Sequence, residues 1–292
     1  MAPVRQEAQL GTVTPWAPVA GHVDAASPSW LERLRVGRWA PPLVVLILAL
    51  VLWEVVVDLT NTPSYLIAKP TEMFSATANN FHLLMTQMWP TLYEVVLGFA
   101  CSVAIALPIA IFIVYSRAAG RAVYPLVVAS QVVPKVAIAP VFVILLGTGL
   151  FPKLILAFLI AFFPIVINTV TGLQGVDPEM LEMVRSMGAG KTRAFAKVRF
   201  PAALPSIFAG LKIAMTLAVV GAVVAEFVGA SKGLGYSLLV AQGNVDTALV
   251  YADLLVMTVM GLVLYAILEI VEAILLRGRR ASAAEASSHY SM

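Results

Sequence analysis

The sequence predicts an all-α polytopic membrane protein with six transmembrane helices and both termini cytoplasmic. Three observations carry that prediction. The 292 residues are 60% hydrophobic and 12% charged, where an ordinary soluble domain is about 45–50% apolar and about 25% charged. Six apolar runs approach the roughly 20 residues a helix needs to cross the hydrocarbon. Fifteen of the 19 Lys and Arg fall on one side of those runs; only Lys69, Lys153 and Lys232 fall on the other. That asymmetry is the one that orients membrane helices. The composition excludes a soluble enzyme and a disordered chain, and a net charge of +3 gives no reason to expect a nucleic-acid partner. One cysteine, Cys101, leaves no intrachain disulfide or cysteine-based metal site. His22, His82 and His289 are too scattered to form a cluster.

The runs fall at 42–59, 91–115, 122–146, 152–173, 206–228 and 248–276, inside a membrane domain of 41–276. Each is expected to be a helix, because a helix satisfies its own backbone hydrogen bonds where lipid cannot. No run alternates as a membrane β-strand would. Pro41 and Pro42 open the first run, which suits a helix start. That run begins too far from the N-terminus for a cleavable signal peptide. Outside, residues 71–89 read as a short amphipathic helix with Met73, Phe74, Phe81, Leu84 and Met88 on one face. Pro90 then marks the start of the second span. The third run is interrupted by Pro134 and Pro140. The tails, 1–40 and 277–292, lack an apolar face and are expected to be unstructured. No internal repeat supports an inverted-repeat transporter.

The longest polar stretch between spans is the loop 174–205. Asp177 suits the cap of a first helix, with Pro178 at its first position and Glu179 near the positive end of its dipole. That helix is expected to run to about Met187, where Gly188, Ala189 and Gly190 break it. Residues 191–200 then form a second helix with a basic face of Lys191, Arg193, Lys197 and Arg199, stopped by Pro201 and Pro205. The segment Gly188-Ala-Gly-Lys-Thr192 imitates the end of a phosphate-binding loop. The first glycine of that pattern falls on Arg185, and no strand precedes it, so the backbone cannot wrap a nucleotide.

The same loop resembles the signature of ATP-binding cassette (ABC) importer permeases: E-A-A, three residues, Gly, nine residues, I-x-L-P. Glu182-Met183-Val184, Gly188 and Val198-Arg199-Phe200-Pro201 keep every spacing. The departures, Met-Val for Ala-Ala, Val for Ile and Phe for Leu, replace apolar with apolar. The flanks, 177–182, 201–210 and 226–236, look like the nitrate/sulfonate/taurine branch, and the resemblance covers roughly residues 42–276. It implies a transport subunit of the bacterial inner membrane and not an enzyme. It implies that the loop docks into a separate ATPase subunit, that two permease copies form a homodimer, and that an external binding protein delivers the solute. No cofactor is expected on this chain; ATP is used by the partner ATPase. The coupling residues would be Glu182, Met183, Val184, Arg185, Gly188, Val198, Phe200 and Pro201. Met183, Val184 and Met187 offer apolar surface, and Glu182 and Arg185 suit the ATPase rim. The positive-inside rule alone explains the basic residues but not Glu182, Gly188 and Pro201 at that spacing.

Charges at bilayer depth are costly and invite a functional reading. Glu54, Asp58 and Glu94 lie near outer span ends, within reach of interfacial water, and read as structural. Glu269 and Glu272 lie toward the inner end of the sixth span, within reach of Arg277. Lys135 lies 14 residues beyond Arg121, about 21 Å along a continuous helix. Gln131 precedes it by one turn, and Pro134 frees backbone carbonyls that must face a cavity or protein. A translocation path lined by Gln131, Lys135, Asn168 and Glu226, with Thr169 nearby, is one expectation. A buried Lys135–Glu226 pair that only fixes packing is the other. Lys135 suits an anion such as nitrate or a sulfonate. The stretch 131–137, Gln-Val-Val-Pro-Lys-Val-Ala, also looks like permeases for thiamine-precursor pyrimidines, so the solute stays open. An ion-coupled secondary transporter would need no such loop, and a membrane enzyme would want a polar cluster that this chain lacks.

Overall fold

The computed structural model describes the backbone of residues 40–289 and the side chains of 41–276. The chain divides into two units, Met1–Leu52 and Trp53–Met292. The described elements are all helical: α1 (Ala40–Leu59), α2 (Pro70–Asn79), α3 (Phe81–Tyr115), α4 (Arg117–Ser130), α5 (Lys135–Leu146), α6 (Leu150–Gln174), α7 (Pro178–Ser186), α8 (Lys191–Ala194), a π turn (Phe195–Arg199), α9 (Phe200–Gly229), α10 (Leu234–Gly243) and α11 (Thr247–His289). Among the described residues, five stretches are long and apolar enough to cross a membrane: Pro41–Leu59, Phe81–Tyr115, Leu150–Gln174, Lys191–Gly229 and Thr247–Leu276. A sixth span exists only if α4 and α5 are taken as one pair, bent by 90°.

Prolines account for most departures from the sequence reading. The expected third span, 122–146, is not one helix. Pro134 has no N–H to continue α4, and it steers Val133 away from helical backbone. The chain turns over Gln131–Pro134, and Lys135 starts a new helix, so its depth does not follow from a rise per residue. Pro90, by contrast, does not start the second span. The expected helix 71–89 splits at Asn80, whose N–H and side-chain amide both bond the Ala76 carbonyl, at 2.9 and 3.0 Å. From Phe81, α3 runs unbroken through Pro90 and Pro108. Met73 and Leu84 are buried while Phe74 and Phe81 are exposed, so the proposed face is divided. Pro201 and Pro205 do not stop the second loop helix either. Lys191–Gly229 is one span, and the Phe200 N–H bonds the Phe195 carbonyl five residues back. The wider π turn makes room for the proline that follows.

The last helix continues to His289, where a tail without structure was expected from 277. Ala281, Ala283, Ala284 and Ala286 have the highest helix propensity, so extension costs little. The expected N-terminal tail to residue 39, residues 290–292 and the side chain of Arg277 lie outside the described residues.

Within the larger unit, α6 packs along α9 and α3. The seam is built of small residues: Ala106, Ala110, Ala161, Ala203, Ala214 and Ala218 are buried. In lipid, where burial of apolar surface drives helices together only weakly, close backbone approach supplies the packing energy. At Ala157 two helices approach α6 at once. A β-carbon at Gly98 would lie 2.6 Å from the Ala157 Cβ, and one at Gly221 would lie 2.8 Å from the Ala157 Cα. A second cluster joins α2, α3, α10 and α11 through Leu84, Leu234, Leu238 and Val256. At the end of α10, Val245 takes φ +59°, a strained position for a β-branched residue.

Gly221→Ala should therefore wedge α6 from α9 at a cost of about 1–3 kcal/mol. The melting temperature of the purified protein should fall by several degrees. Gly243→Ala, where a β-carbon meets nothing within 4 Å, should leave it nearly unchanged.

Candidate functional site

The loop begins as its sequence directs. The Asp177 carboxylate accepts the Glu179 N–H at 2.9 Å, and Pro178 opens α7. The helix ends in a Schellman turn: the Ala189 N–H bonds the Val184 carbonyl at 3.2 Å, and the Gly188 N–H bonds that of Arg185 at 2.9 Å. Gly188 has φ +81°, which a residue with a β-carbon adopts only with strain.

Two faces of α7 diverge. Met180, Met183 and Met187 are 48%, 58% and 79% exposed, an apolar row at helical spacing. Leu181 and Arg185, one turn apart, face instead a cavity of about 770 Å³ shared with Tyr115 and Phe195. Glu182 is exposed and Val184 half-buried. The structure thus parts Arg185 from the methionines with which the sequence grouped it. Val198, Phe200 and Pro201 are half-buried, Phe200 against the Phe195 ring at 5.8 Å. The Arg199 Nε donates to the Leu173 carbonyl at 2.7 Å, which clamps the second half of the loop to the end of α6.

Of the four residues assigned to a path, Lys135 contacts Gln131, and Glu226 is held by other partners. The Lys135 Nζ donates to the Gln131 carbonyl at 3.2 Å and lies 4.4 Å from the centre of the Phe163 ring. It has no carboxylate partner among the described residues. Asn168 bonds the Pro164 carbonyl at 2.8 Å and faces Gly210 across the α6–α9 seam. Thr169 is fully buried.

Glu226 is 1% exposed and belongs to a different group. Its carboxylate accepts the Thr91 hydroxyl at 2.7 Å and the Gly235 N–H at 2.6 Å. Thr91 in turn accepts the Leu234 N–H at 2.8 Å, and the Gln87 side-chain carbonyl accepts the Gly233 N–H at 2.8 Å. The start of α10 is therefore held by α3 and α9. A β-carbon at Gly233 or Gly235 would collide with the Glu226 carboxylate. Beside it, the Lys153 Nζ donates to Glu94 at 2.7 Å, and both side chains are buried. Glu94 is thus not at interfacial water, and Lys153 is not a loop charge.

The remaining ionic contacts are peripheral. Glu54 accepts the Thr71 N–H and hydroxyl at the start of α2, at 3.1 and 2.6 Å, where the helix dipole favours an anion. Asp58 pairs with Lys69 and raises the lysine pKa through its hydrogen bond and charge. That contribution is complete below the ordinary lysine pKa and is lost only as pH rises through the raised value. Glu272 bonds Lys212 at 2.5 Å.

Residues 102–281 match the family model described as binding-protein-dependent transport system inner membrane component. The chain belongs to this family. It is a permease subunit of an ABC importer, and such importers use ATP through a separate ATPase. The permease is 33% identical to the formylaminopyrimidine transport permease protein ThiX of Halalkalibacterium halodurans, over 82% of this chain and 96% of that protein. It is 34% identical to the riboflavin transport system permease protein RibX of Chloroflexus aurantiacus, over 80% and 88%. It is 32% identical to the putative aliphatic sulfonates transport permease protein SsuC of Bacillus subtilis, over 65% and 68%. Its fold is that of a chain in the MetNI methionine ABC transporter in inward facing conformations, with a TM-score of 0.55 and 20% identity over 68% of this chain and 96% of that one.

Sequence reasoning about the permease missed Gln87, Thr91, Gly233, Gly235 and the fully buried Asp253, which sits beside Ser237. The available signal was charge within apolar runs: Glu94, Lys153 and Asp253 are such residues. The Glu94–Lys153 pair gives a direct test. Lys153→Met should leave Glu94 buried without a partner and cost about 3–5 kcal/mol, and adding Glu94→Leu should recover most of it. Denaturant melts of the single and double variants measure this.

Proposed function

We propose that this permease sits in the bacterial inner membrane as a homodimer with six spans, α4 and α5 together forming the third. Both termini and the loop 174–205 face the cytoplasm, and residues 41–276 form the membrane domain between two cytoplasmic tails. The loop docks on the ATPase, while an external binding protein delivers a small solute. The observation that carries the docking assignment is the exposed methionine row of α7, ended by the Gly188 turn. An exposed apolar row on a helix outside the membrane spans marks an interaction surface. Glu182 lies beside it, and Val198, Phe200 and Pro201 anchor the loop to the membrane helices. In this reading ATPase movement reaches α6 and α9 through the Arg199–Leu173 clamp.

The path runs past Gln131, Lys135 and Asn168. Lys135, a cation at a bent helix pair without a carboxylate partner among the described residues, suits an anionic solute of the nitrate/sulfonate/taurine class. Glu226 supports the path by fixing α10 and does not line it. A second reading, a thiamine-precursor pyrimidine, is favoured by the formylaminopyrimidine relative, which matches 82% of this chain against 65% for the sulfonate relative.

Proteoliposomes carrying permease, ATPase and binding protein should import one solute from a panel of nitrate, sulfonates, taurine and pyrimidines. Uptake without the ATPase would overturn the importer mechanism. Gly188→Val, which places a β-branched residue at φ +81°, and Glu182→Lys should each lower solute-stimulated ATP hydrolysis at least tenfold while membrane insertion is unchanged. Normal stimulation would sink the docking assignment. Lys135→Ala should raise the KM for an anionic solute; unchanged kinetics would assign Lys135 to packing.

A further inference from the structure

We propose that the cavity behind α7 binds a phosphate-bearing anion, supplied by the headgroup of an anionic phospholipid. Four cations face this cavity of about 770 Å³: Arg117 at the start of α4, Arg185 on α7, Lys191 on α8 and Arg199 in the π turn. Among the described residues no carboxylate lines it. None of the four makes an ion pair among the described residues, where the ion pairs are Lys69–Asp58, Lys153–Glu94 and Lys212–Glu272. Cations that line one cavity without a counter-charge repel one another, so an anion held there is stabilised. The Arg199 Nε donates to the Leu173 carbonyl, which leaves its other guanidinium N–H groups for the anion.

The rest of the wall suits a lipid. Tyr115 and Phe195 meet edge to face with ring centres 5.3 Å apart, and with Leu181 they give apolar surface for the glycerol and acyl stem. Tyr115 ends the spanning helix α3, which puts the cavity at the edge of the hydrocarbon. Basic pockets between membrane helices at that level bind anionic headgroups. The ATPase is the other candidate occupant, but the exposed methionines that suit it do not line this cavity. A bound headgroup would bridge α4 to α7 and α8, and so brace the docking helix against the membrane domain. The site does not depend on which solute is carried; the choice of a lipid over the ATPase rests on the methionine row being the surface that docks.

The full chain, purified in detergent, would be exposed to phosphatidylglycerol, to phosphatidylcholine of the same acyl chains and to inorganic phosphate, and bound molecules counted by native mass spectrometry. Phosphatidylglycerol should be retained, and the other two should not. Arg117→Gln with Lys191→Gln should weaken retention about thirty-fold. Arg193→Gln with Lys197→Gln, the same charge change in residues that do not line the cavity, should weaken it less than about threefold. Arg117→Lys with Lys191→Arg keeps the charge and should keep the lipid, which separates binding from misfolding. Equal loss in both neutralised pairs, or no preference over phosphatidylcholine, would overturn the proposal. Binding of inorganic phosphate as tight as that of the lipid would replace the membrane source with a soluble one. Unchanged lipid retention with loss of ATPase co-purification would give the cavity to the ATPase.

Discussion

Three helices meet at Ala157, and the closeness of that meeting sets the register of the others. Gly98 on α3 and Gly221 on α9 leave no space for a β-carbon there. Lys153 lies one turn from Ala157, Glu94 one turn from Gly98, and Glu226 five residues from Gly221. The backbone contact therefore fixes the depth at which these three side chains lie. On the opposite side of the contact, the Ser102 hydroxyl bonds the Phe158 carbonyl at 3.0 Å. Hydrocarbon offers no partner to any of these groups, so the seam must bring them together. The position of Glu226 then fixes the first turn of α10, and α10 packs on α11.

The same seam connects the loop to the membrane helices. The loop leaves from α6 and returns into α9, the two helices that pack most closely. Arg199 bonds the last turn of α6 from the start of the returning segment. A load applied to α7 thus reaches a rigid pair and not a single flexible span. The bent pair α4–α5 is tied less firmly: most of its side chains are exposed, with Ala119 and Ala139 buried. Lys135 lies on this more exposed, bent pair.

What was legible in the sequence was local. The Asp177 cap, the Gly188 break and five of the six apolar runs each depend on residues within a turn or two, and they are found as expected. The prolines show the limit. Pro134 breaks a helix, Pro90 and Pro108 do not, and a π turn precedes Pro201; the same residue gives different outcomes because neighbouring backbone decides which freed groups find partners. Pairing across the chain was not legible at all. Glu94 and Lys153 are 59 residues apart and Thr91 and Glu226 are 135 apart, and no spacing rule joins them. The sequence reading offered Lys135 as the partner of Glu226, since both looked like lone charges at depth. The small-residue contact at Ala157, which selects Lys153 for this region instead, has no sequence signature beyond glycine and alanine in apolar runs.

On the proposed docking, one face of α7, and not its basic neighbours, meets the ATPase. Single cysteines at Met183, Met187 and Leu181, in a Cys101→Ser background, with cross-linking to the co-assembled ATPase, test this directly. Cross-linking should be strong at Met183 and Met187 and weak at Leu181, which faces the cavity. Equal cross-linking at all three, or none at the two methionine positions, would contradict it.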